Sequence, residues 1–202
     1  MRGLYSLIKL LINFLGKRND LESLKESIKS GKRGLELMED HSVAYAKYPR
    51  FIHDYVRALE ESKVTRSDLI PRDGWQTQLV GDLETVPDSR KIVWYIDTIG
   101  NSGKSYFATH YNSKTSYYVT GGKAADIFYG YKYEEVVFFD LARMKQEYVQ
   151  YDVMESFKNG QFYSTKYESK NVKFNTPHVV VFSNFEPDRA MLSHDRWDIR
   201  VI

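Results

Sequence analysis

The sequence predicts an α/β domain of the P-loop NTPase class, preceded by a small helical domain. Three observations support this fold class. Residues 20–65 repeat apolar positions at helical spacing, the chain after Ser89 contains short apolar runs rich in Val, Ile, Phe and Tyr, and one of these runs leads directly into Gly-Lys-Ser. With 202 residues the chain can hold one full core and a small accessory domain.

The composition is that of an ordinary folded protein, with 42% hydrophobic and 28% charged residues. The chain has no Cys, which excludes a disulfide scaffold and a Cys-based zinc site. A formal net charge of +2 is too small to indicate nucleic-acid binding, so any such contact requires a local cluster of Lys and Arg. The 16 tyrosines could stack on bases, but ordinary core and strand positions explain them better.

The N-terminal residues contain an apolar run, MRGLYSLIKLLINFLG. Lys9 and Asn13 interrupt this run, which is shorter than the ~20 residues of a membrane span, and no small-residue cleavage site follows it. We therefore expect residues 1–19 to form an amphipathic helix or a poorly ordered leader, with no membrane as a partner.

The helical domain is expected at residues 20–65, as two or three helices. Asp20 is the expected N-cap of the first helix. Breaks are expected near Gly31 and Gly34, and again near Pro49.

The next segment, 66–88, is predicted to be a linker with little regular structure because it contains two prolines and two glycines, Pro71, Gly74, Gly81 and Pro87. The α/β domain is expected at 89–202. Its predicted strands are five apolar segments, 91–97, 115–121, 134–140, 171–174 and 178–184.

The strand at 91–97 leads into TIGNSGKS and then into a helical segment, which is the context that a phosphate-binding loop requires. The loop residues expected to bind nucleotide are Gly100, Asn101, Ser102, Gly103, Lys104 and Ser105. Gly103 lets the backbone curl so that successive N–H groups face one anion. Lys104 would neutralise the β- and γ-phosphates, and the Ser105 hydroxyl would bind Mg²⁺.

The loop departs from the pattern G-x-x-x-x-G-K-[ST] at its first position, where Thr98 replaces Gly, although Gly100 supplies flexibility. We expect Lys104 to be exposed and to contact only phosphate. The alternative is a chance Gly-Lys-Ser in a surface turn.

Two other predicted strands end in polar residues that suit nucleotide chemistry. EEVVFFD ends in Asp140, whose carboxylate could hold Mg²⁺ and its water shell. HVVVFSN ends in Asn184, whose carboxamide could hydrogen-bond the γ-phosphate and the attacking water. Leu141 follows Asp140, so the second acid that usually activates this water is missing here and the general base is unassigned.

Residues 154–174 predict a helix, a turn at Asn159 and Gly160, and two strands. The strands carry three basic residues around a polar turn, Lys166, Lys170 and Lys173. Such a hairpin is suited to binding the phosphate backbone of a single strand. The alternative is a solvated charged hairpin in which Glu168 partly offsets the lysines.

These motifs resemble those of the superfamily-3 helicase domain of rolling-circle replication initiator (Rep) proteins of circular single-stranded DNA viruses and related plasmids. GNSGKS, VVFFDLAR, KNGQFYSTKYES and HVVVFSNFEPD, followed by MLSHDRWDI, are similar to Walker A, Walker B, B-prime, motif C and the segment after it. The resemblance covers residues 91–200. The DLAR ending resembles nanovirus-like and plasmid-like Reps, which carry a comparable Asp-x-x-Arg, and this resemblance implies that the missing second acid is a family trait. Residues 23–60 resemble the segment that follows the endonuclease domain.

The resemblance implies an AAA+-like ATPase that uses ATP and Mg²⁺ to move along single-stranded DNA, with RNA as the alternative. It also implies a homo-hexameric ring with the hairpins in its channel, and a location in the host nucleus or cytoplasm. An arginine would reach into the neighbour's ATP site. Arg196 is the first candidate, with Arg143 and Arg189 as rivals, and each could instead form a surface salt bridge.

The five histidines do not form the His-x-His motif of a nicking endonuclease; they are His41, His53, His110, His178 and His194. We therefore expect the chain not to nick DNA and to act beside a separate endonuclease or a full-length Rep. One alternative is a small-molecule P-loop kinase, against which the basic hairpin argues. The other is a degenerate or truncated Rep fragment that binds nucleic acid or an intact Rep without ATP turnover.

Overall fold

The structure is a computed structural model that describes residues 19–65, 67–112, 115–166 and 169–202. These residues form two compact units, one ending at Thr65 and the other comprising the described residues from 67 onward. The expected N-terminal helix or leader lies, except for Asn19, outside the described residues. Within the described ranges, no helix is both long and apolar enough to cross a membrane.

The first unit contains four helices, one more than expected: α1 (Asn19–Lys29), α2 (Gly34–Asp40), α3 (Ser42–Lys47) and α4 (Pro49–Lys63). Their apolar sides form one core of Leu24, Ile28, Leu37, Ala44 and Ile52. The extra break occurs at His41, whose backbone leaves the helical conformation between α2 and α3. The prediction of Asp20 as an N-cap is wrong, because Asn19 is already helical.

The second unit begins with α5 (Trp75–Leu83), β1 (Ile92–Ile96), α6 (Lys104–His110), β2 (Ser116–Val119) and α7 (Ala124–Gly130). It continues with β3 (Val136–Asp140), α8 (Tyr151–Lys158), β4 (Gln161–Ser164), β5 (Lys170–Lys173), β6 (His178–Ser183) and β7 (Trp197–Val201). Short 3₁₀ turns occur at Gln146–Tyr148, Arg189–Met191 and His194–Arg196.

Five strands form one parallel sheet in the order β2-β3-β6-β1-β7. Most residues of β1, β3 and β6 are buried, since helices cover both faces of the sheet. This explains why the three strands are continuous apolar runs in the sequence. The predicted α/β fold class is confirmed, and the five predicted strands are present with ends that shift by up to two residues.

One face of the sheet packs against α7 and α8 through Trp94, Phe139 and Val181, with Phe157 on the helical side. The other face packs against α5 and α6 through Tyr95, Phe138 and Phe182. Strand residues alternate between these two cores, as the pleat requires. The domain therefore has three layers.

The prediction of a linker at 66–88 is wrong for 75–83, which forms α5. Leu79 and Leu83 of this helix are buried against the sheet. The glycines and prolines suggested an irregular segment, but Gly74 only precedes the helix and Gly81 lies within it. Strand β7 was not predicted, because WDIRV alternates polar and apolar residues at the edge of the sheet.

Strands β4 and β5 form a separate antiparallel hairpin between α8 and β6, as predicted. Phe162 of β4 stacks on Phe128 of α7, with ring centroids 4.3 Å apart and an interplanar angle of 9°. This contact and the burial of Phe162 attach the hairpin to the α7 and α8 side of the domain.

Candidate nucleotide site

The candidate site lies at the carboxyl edge of the sheet, where the loop after β1 and the ends of β3 and β6 meet. Because β6 lies between β1 and β3, its last residues separate the phosphate loop from Asp140. Asn184 directly follows β6 and so lies between the two motifs. Parallel strands thus bring together residues that are far apart in the sequence.

The loop has the backbone conformation that its glycines permit. Gly100 and Gly103 both have φ of 87°, and Asn101 between them has φ of 64°. A Cβ on Gly103 would lie 2.8 Å from Nε2 of Gln76, so a side chain there would require Gln76 to shift, and the positive φ also disfavours it. The curled loop that the sequence predicted for residues 98–105 is consistent with this geometry.

Lys104 does not have the exposure that we expected. Its side chain is only 5% exposed, and Nζ lies 3.0 Å from a carboxylate oxygen of Asp97 and 2.8 Å from Oδ1 of Asn184. A third contact, at 3.4 Å, joins Nζ to the backbone carbonyl of Asp97. Lys104 therefore has protein partners, and the expectation that it contacts only phosphate is wrong.

Asp97 is a residue of the site that the sequence analysis did not identify. It follows β1 directly, is 2% exposed, and accepts hydrogen bonds from the backbone N–H groups of Ile99, Gly100 and Ser102. Burial alone would raise its pKa. The contacts with Ser102, Lys104 and Gly100 outweigh burial and hold the pKa of Asp97 well below its usual range.

Asp140 is fixed at the end of β3 by two donors. Its Oδ2 accepts a hydrogen bond of 2.9 Å from the Tyr118 hydroxyl, and its Oδ1 accepts one of 3.3 Å from the N–H of Ala142. Burial of Tyr118, together with this hydrogen bond, raises the pKa of Tyr118 to about 12. Leu141 is buried in the core, so the position after Asp140 does not face the site.

A continuous polar chain links these residues across three strand ends. Asp97 contacts Lys104, Lys104 donates to Asn184, and Nδ2 of Asn184 donates to the carbonyl of Ala142 at 3.0 Å. Ala142 in turn donates its N–H to Asp140. The predicted residues Lys104, Asn184 and Asp140 are therefore connected, with Asp97 and Ala142 completing the chain.

Two residues of the segment predicted as a linker contact the loop or the helix that follows it. Gln76 is fully buried, and its Nε2 lies 3.4 Å from the carbonyl oxygens of both Ser102 and Gly103. Arg72 places its guanidinium over the Tyr106 ring, 5.8 Å from the centroid. Sequence reasoning missed both residues because it treated their segment as irregular.

Arg196 does not have the exposure that a subunit-bridging arginine needs. It is 2% exposed, and one nitrogen lies 2.6 Å from Oδ1 of Asn159 and 3.2 Å from a Glu155 oxygen. It also precedes β7, at the end of the sheet opposite the loop. The structure therefore disfavours our first candidate, whereas Arg143 and Arg189 are both exposed.

The hairpin lysines do not form a single patch. Lys166 forms an ion pair with Asp126 and lies over the Tyr129 ring. In the β4–β5 register, Lys170 is opposite Ser164 and Lys173 is opposite Gln161. Since alternate residues of a strand face opposite sides, Lys170 and Lys173 lie on different faces of the hairpin.

The site residues fit a nucleotide with Mg²⁺. Ser102 Oγ is buried in the loop and has no hydrogen-bond partner within the described residues. Ser105 is exposed at the start of α6, and each Asp140 oxygen retains accepting capacity beyond the bond it receives. Within the described residues no cluster of three His, Asp or Glu side chains forms a separate metal site. A hydroxyl and a carboxylate suit Mg²⁺, which keeps water and phosphate oxygens as its other ligands.

Comparison with known proteins gives a consistent set of relatives. Residues 94–185 match the sequence model of a family described as RNA helicase. The chain is 36% identical to the master replication protein of Subterranean clover stunt virus (strain F) over 178 residues, which are 87% of this chain and 62% of that protein. It is 29% identical to the master replication protein of Banana bunchy top virus over 179 residues, covering 88% of this chain and 62% of that protein.

A third relative is the Para-Rep C7 of the Faba bean necrotic yellows C7 alphasatellite, with 37% identity over 147 residues, 70% of this chain and 51% of that protein. The chain thus spans between 51% and 62% of the length of these three relatives. The resemblance drawn from the motifs is confirmed. The chain is similar to the replication initiator (Rep) proteins of circular single-stranded DNA viruses, and its residues 94–185 match the superfamily-3 type of helicase domain that such proteins carry.

Proposed function

We propose that the chain is an ATP-dependent helicase or translocase that acts on single-stranded DNA during rolling-circle replication of a small circular genome. The observation that carries this proposal is the hydrogen bond between Lys104 and Asn184, which joins the phosphate loop to the end of β6. A cation beside an oriented carboxamide, in a loop with two left-handed glycines, suits the binding and hydrolysis of a nucleoside triphosphate.

In this proposal each polar residue has one task. The backbone N–H groups of residues 100–105 bind phosphate oxygens, and Lys104 neutralises the β- and γ-phosphates. Ser105 and Asp140 hold Mg²⁺, which supplies charge neutralisation at the transferring phosphoryl group when bound. Asn184 orients the attacking water, and Tyr118 keeps the Asp140 carboxylate in place.

The proposed nucleic-acid contact is the β4–β5 hairpin, through Lys166, Lys170 and Lys173. Because Lys166 is paired with Asp126, we assign it a smaller share of phosphate binding than Lys170 or Lys173. Single-stranded DNA is the proposed substrate, and RNA is the alternative because the matching family is described as RNA helicase.

We further propose a homo-hexamer acting in the host nucleus or cytoplasm beside an endonuclease or a full-length Rep. In the first unit, three large apolar side chains are exposed on α2 and α3: Leu35 (68%), Met38 (44%) and Val43 (78%). Leu35 and Met38 are three residues apart and so share one face of α2. This apolar surface, Leu35, Met38 and Val43, is our candidate contact with a second copy.

A Rep fragment that binds nucleic acid without ATP turnover is the second candidate function. Thr98 at the first loop position and the pairing of Lys104 with Asp97 favour it.

ATP hydrolysis measured with no nucleic acid, with single-stranded DNA and with single-stranded RNA separates the two functions. The first requires turnover that DNA stimulates and that Lys104→Ala reduces by roughly 10²-fold or more. Lys91→Ala, an exposed lysine at the opposite end of β1, is the matched control. Binding of single-stranded nucleic acid without ATP turnover in any arm would establish the second function instead.

A further inference from the structure

Asp97 lies outside the phosphate-loop pattern, yet its carboxylate occupies the point where donors of the loop converge. Oδ1 accepts N–H groups from Ile99 at 3.1 Å and Gly100 at 2.7 Å. Oδ2 accepts the Ser102 N–H at 3.3 Å and lies 3.0 Å from the Lys104 ammonium. An anion of the protein itself is therefore bound by the loop.

Three of these donors are groups that a nucleotide would need. The Gly100 and Ser102 N–H groups belong to the loop segment assigned to phosphate, and Lys104 is the cation assigned to the β- and γ-phosphates. An ammonium group has three N–H donors. Lys104 directs them at the Asp97 carboxylate, the Asp97 carbonyl and Asn184, so a phosphate oxygen has to replace one of these partners.

Because Asp97 and Lys104 are buried, separating them to admit a phosphate costs free energy. Asp97 and Lys104 are 2% and 5% exposed, and a charge pair with little access to water is weakly screened. When Lys104 turns to a phosphate, the buried Asp97 carboxylate loses its counter-charge and faces a second anion. Both effects oppose nucleotide binding.

We propose that Asp97 is the internal counter-ion of the phosphate loop, and that its competition with nucleotide phosphate for Lys104 sets the affinity for di- and triphosphates. Asp97 is thus a positioning residue. It keeps Lys104 in the site while the loop is empty, and it weakens phosphate binding by the amount needed to separate the pair. The inference rests on the proposed nucleotide function.

The first test compares binding of Mg-ADP, Mg-ATP and adenosine by the wild-type chain and Asp97→Asn, using titration calorimetry. The carboxamide keeps an acceptor for the Ile99 and Gly100 N–H groups but removes the charge. The expected result is a Kd for Mg-ADP and Mg-ATP that falls by about tenfold or more. The Kd for adenosine, which has no phosphate, should not change.

Asp88→Asn is the matched control for this test. Its carboxylate also accepts two backbone N–H groups, from Arg90 at 2.7 Å and Lys91 at 3.0 Å, but it precedes β1. Its nucleotide affinity should equal that of the wild type. An Asp97→Asn chain that is folded and binds Mg-ADP no more tightly than the wild type would overturn the inference. A wild-type chain that binds no nucleotide would instead reject the proposed function.

A second measurement tests the ion pair without nucleotide. Thermal unfolding is compared for Asp97→Asn, Lys104→Met and the double variant. Lys104→Met alone leaves a buried carboxylate without its cation, so its Tm should fall, and adding Asp97→Asn should restore part of that loss. Strictly additive changes in Tm would show that the two side chains do not stabilise each other and would also overturn the inference.

Discussion

Nζ of Lys104 and Oδ1 of Asn184 lie 2.8 Å apart, so the loop after β1 and the end of β6 share a hydrogen bond. The other end of the same carboxamide donates to the carbonyl of Ala142, just after β3. Because a carboxamide has one accepting and one donating end, these two partners fix the orientation of Asn184. Neither a carboxylate nor an apolar side chain could satisfy both partners.

Asn184→Ala is expected to reduce ATP hydrolysis by roughly 10²-fold while changing nucleotide affinity much less, because the carboxamide orients water and the loop supplies most phosphate contacts. Steady-state hydrolysis and calorimetric Kd values are the measurements. Asn175→Ala, at an exposed position before β6, is the control and should behave like the wild type. A loss of binding equal to the loss of turnover would contradict the assigned role.

The stability that Asp97 contributes should depend on pH. Its pKa in the folded chain lies below the ordinary value of 3.8, so its contribution is fully present above about pH 5 and is lost as pH falls toward the folded pKa. The difference in unfolding free energy between the wild type and Asp97→Asn should therefore be largest near pH 7 and shrink by pH 3. Urea unfolding at pH 7, 5, 4 and 3 measures it. A difference that stays constant with pH would rule out this linkage.

Arg196→Ala is expected to destabilise the folded chain by about 1–3 kcal/mol, because Asn159 and Glu155 lose their buried partner. Arg189→Ala, which removes an exposed arginine paired with Glu186, should leave Tm nearly unchanged. Differential scanning calorimetry measures the Tm of both variants and shows whether Arg196 stabilises the fold or behaves like the exposed Arg189.

A mixing experiment tests which arginine acts across a subunit boundary. Lys104→Ala subunits are mixed with subunits of Arg189→Ala, Arg143→Ala or Arg196→Ala, after sedimentation has shown that mixed assemblies form. We expect hydrolysis to return with Arg189→Ala or Arg143→Ala, because a charge at the transferring phosphoryl group is typically worth about 10³-fold or more in rate. Recovery only with Arg196→Ala would restore Arg196 as the trans-acting group.

The hairpin lysines should contribute unequally to the salt dependence of binding. Lys170→Ala and Lys173→Ala should each reduce the slope of log K against log salt by ~0.7, the value for one contact with a single strand. Lys166→Ala should reduce it less, because Asp126 already pairs with this lysine. Asp126→Asn should strengthen binding, because it removes the negative charge that pairs with Lys166. Slopes that do not change in any of the variants would assign the hairpin to a solvated surface.

The apolar surface Leu35, Met38 and Val43 should control assembly. Leu35→Glu combined with Val43→Glu is expected to shift the chain to smaller species in sedimentation velocity, with little change in helical content, because both side chains are exposed. Glu36→Gln, on the same helix, is the control. Assembly that persists in the double variant would remove this surface from the interface.

The sequence was sufficient for the parts of the fold that depend on continuous apolar runs. Strands β1, β3 and β6 are buried on both faces, so their hydrophobic sequences and polar final residues were readable. Helix α5 was hidden by nearby Pro and Gly, although its apolar residues complete one face of the sheet. The polar edge strand β7 gave no comparable signal.

For the candidate site, the sequence identified residues by motif but could not give their partners. Lys104 was expected to be exposed because its motif lies in a loop, but it is buried and paired with Asp97. Asp97 itself was not identified, because the phosphate-loop pattern begins at Thr98 and assigns no role to the residue before it. The burial of Arg196 depends on Glu155 and Asn159, which are about forty residues away in the sequence.

The insertion of the hairpin between β3 and β6 has a mechanical consequence. The chain leaves β3 at the nucleotide edge and crosses the domain through α8. It then forms the hairpin and returns to His178, the first residue of β6. The six residues of β6 span about 20 Å, and Asn184 follows at the far end. Strand β6 is therefore a buried connection between the hairpin at one end and Asn184 at the other. A force on the hairpin would be transmitted along β6 to Asn184, which contacts Lys104.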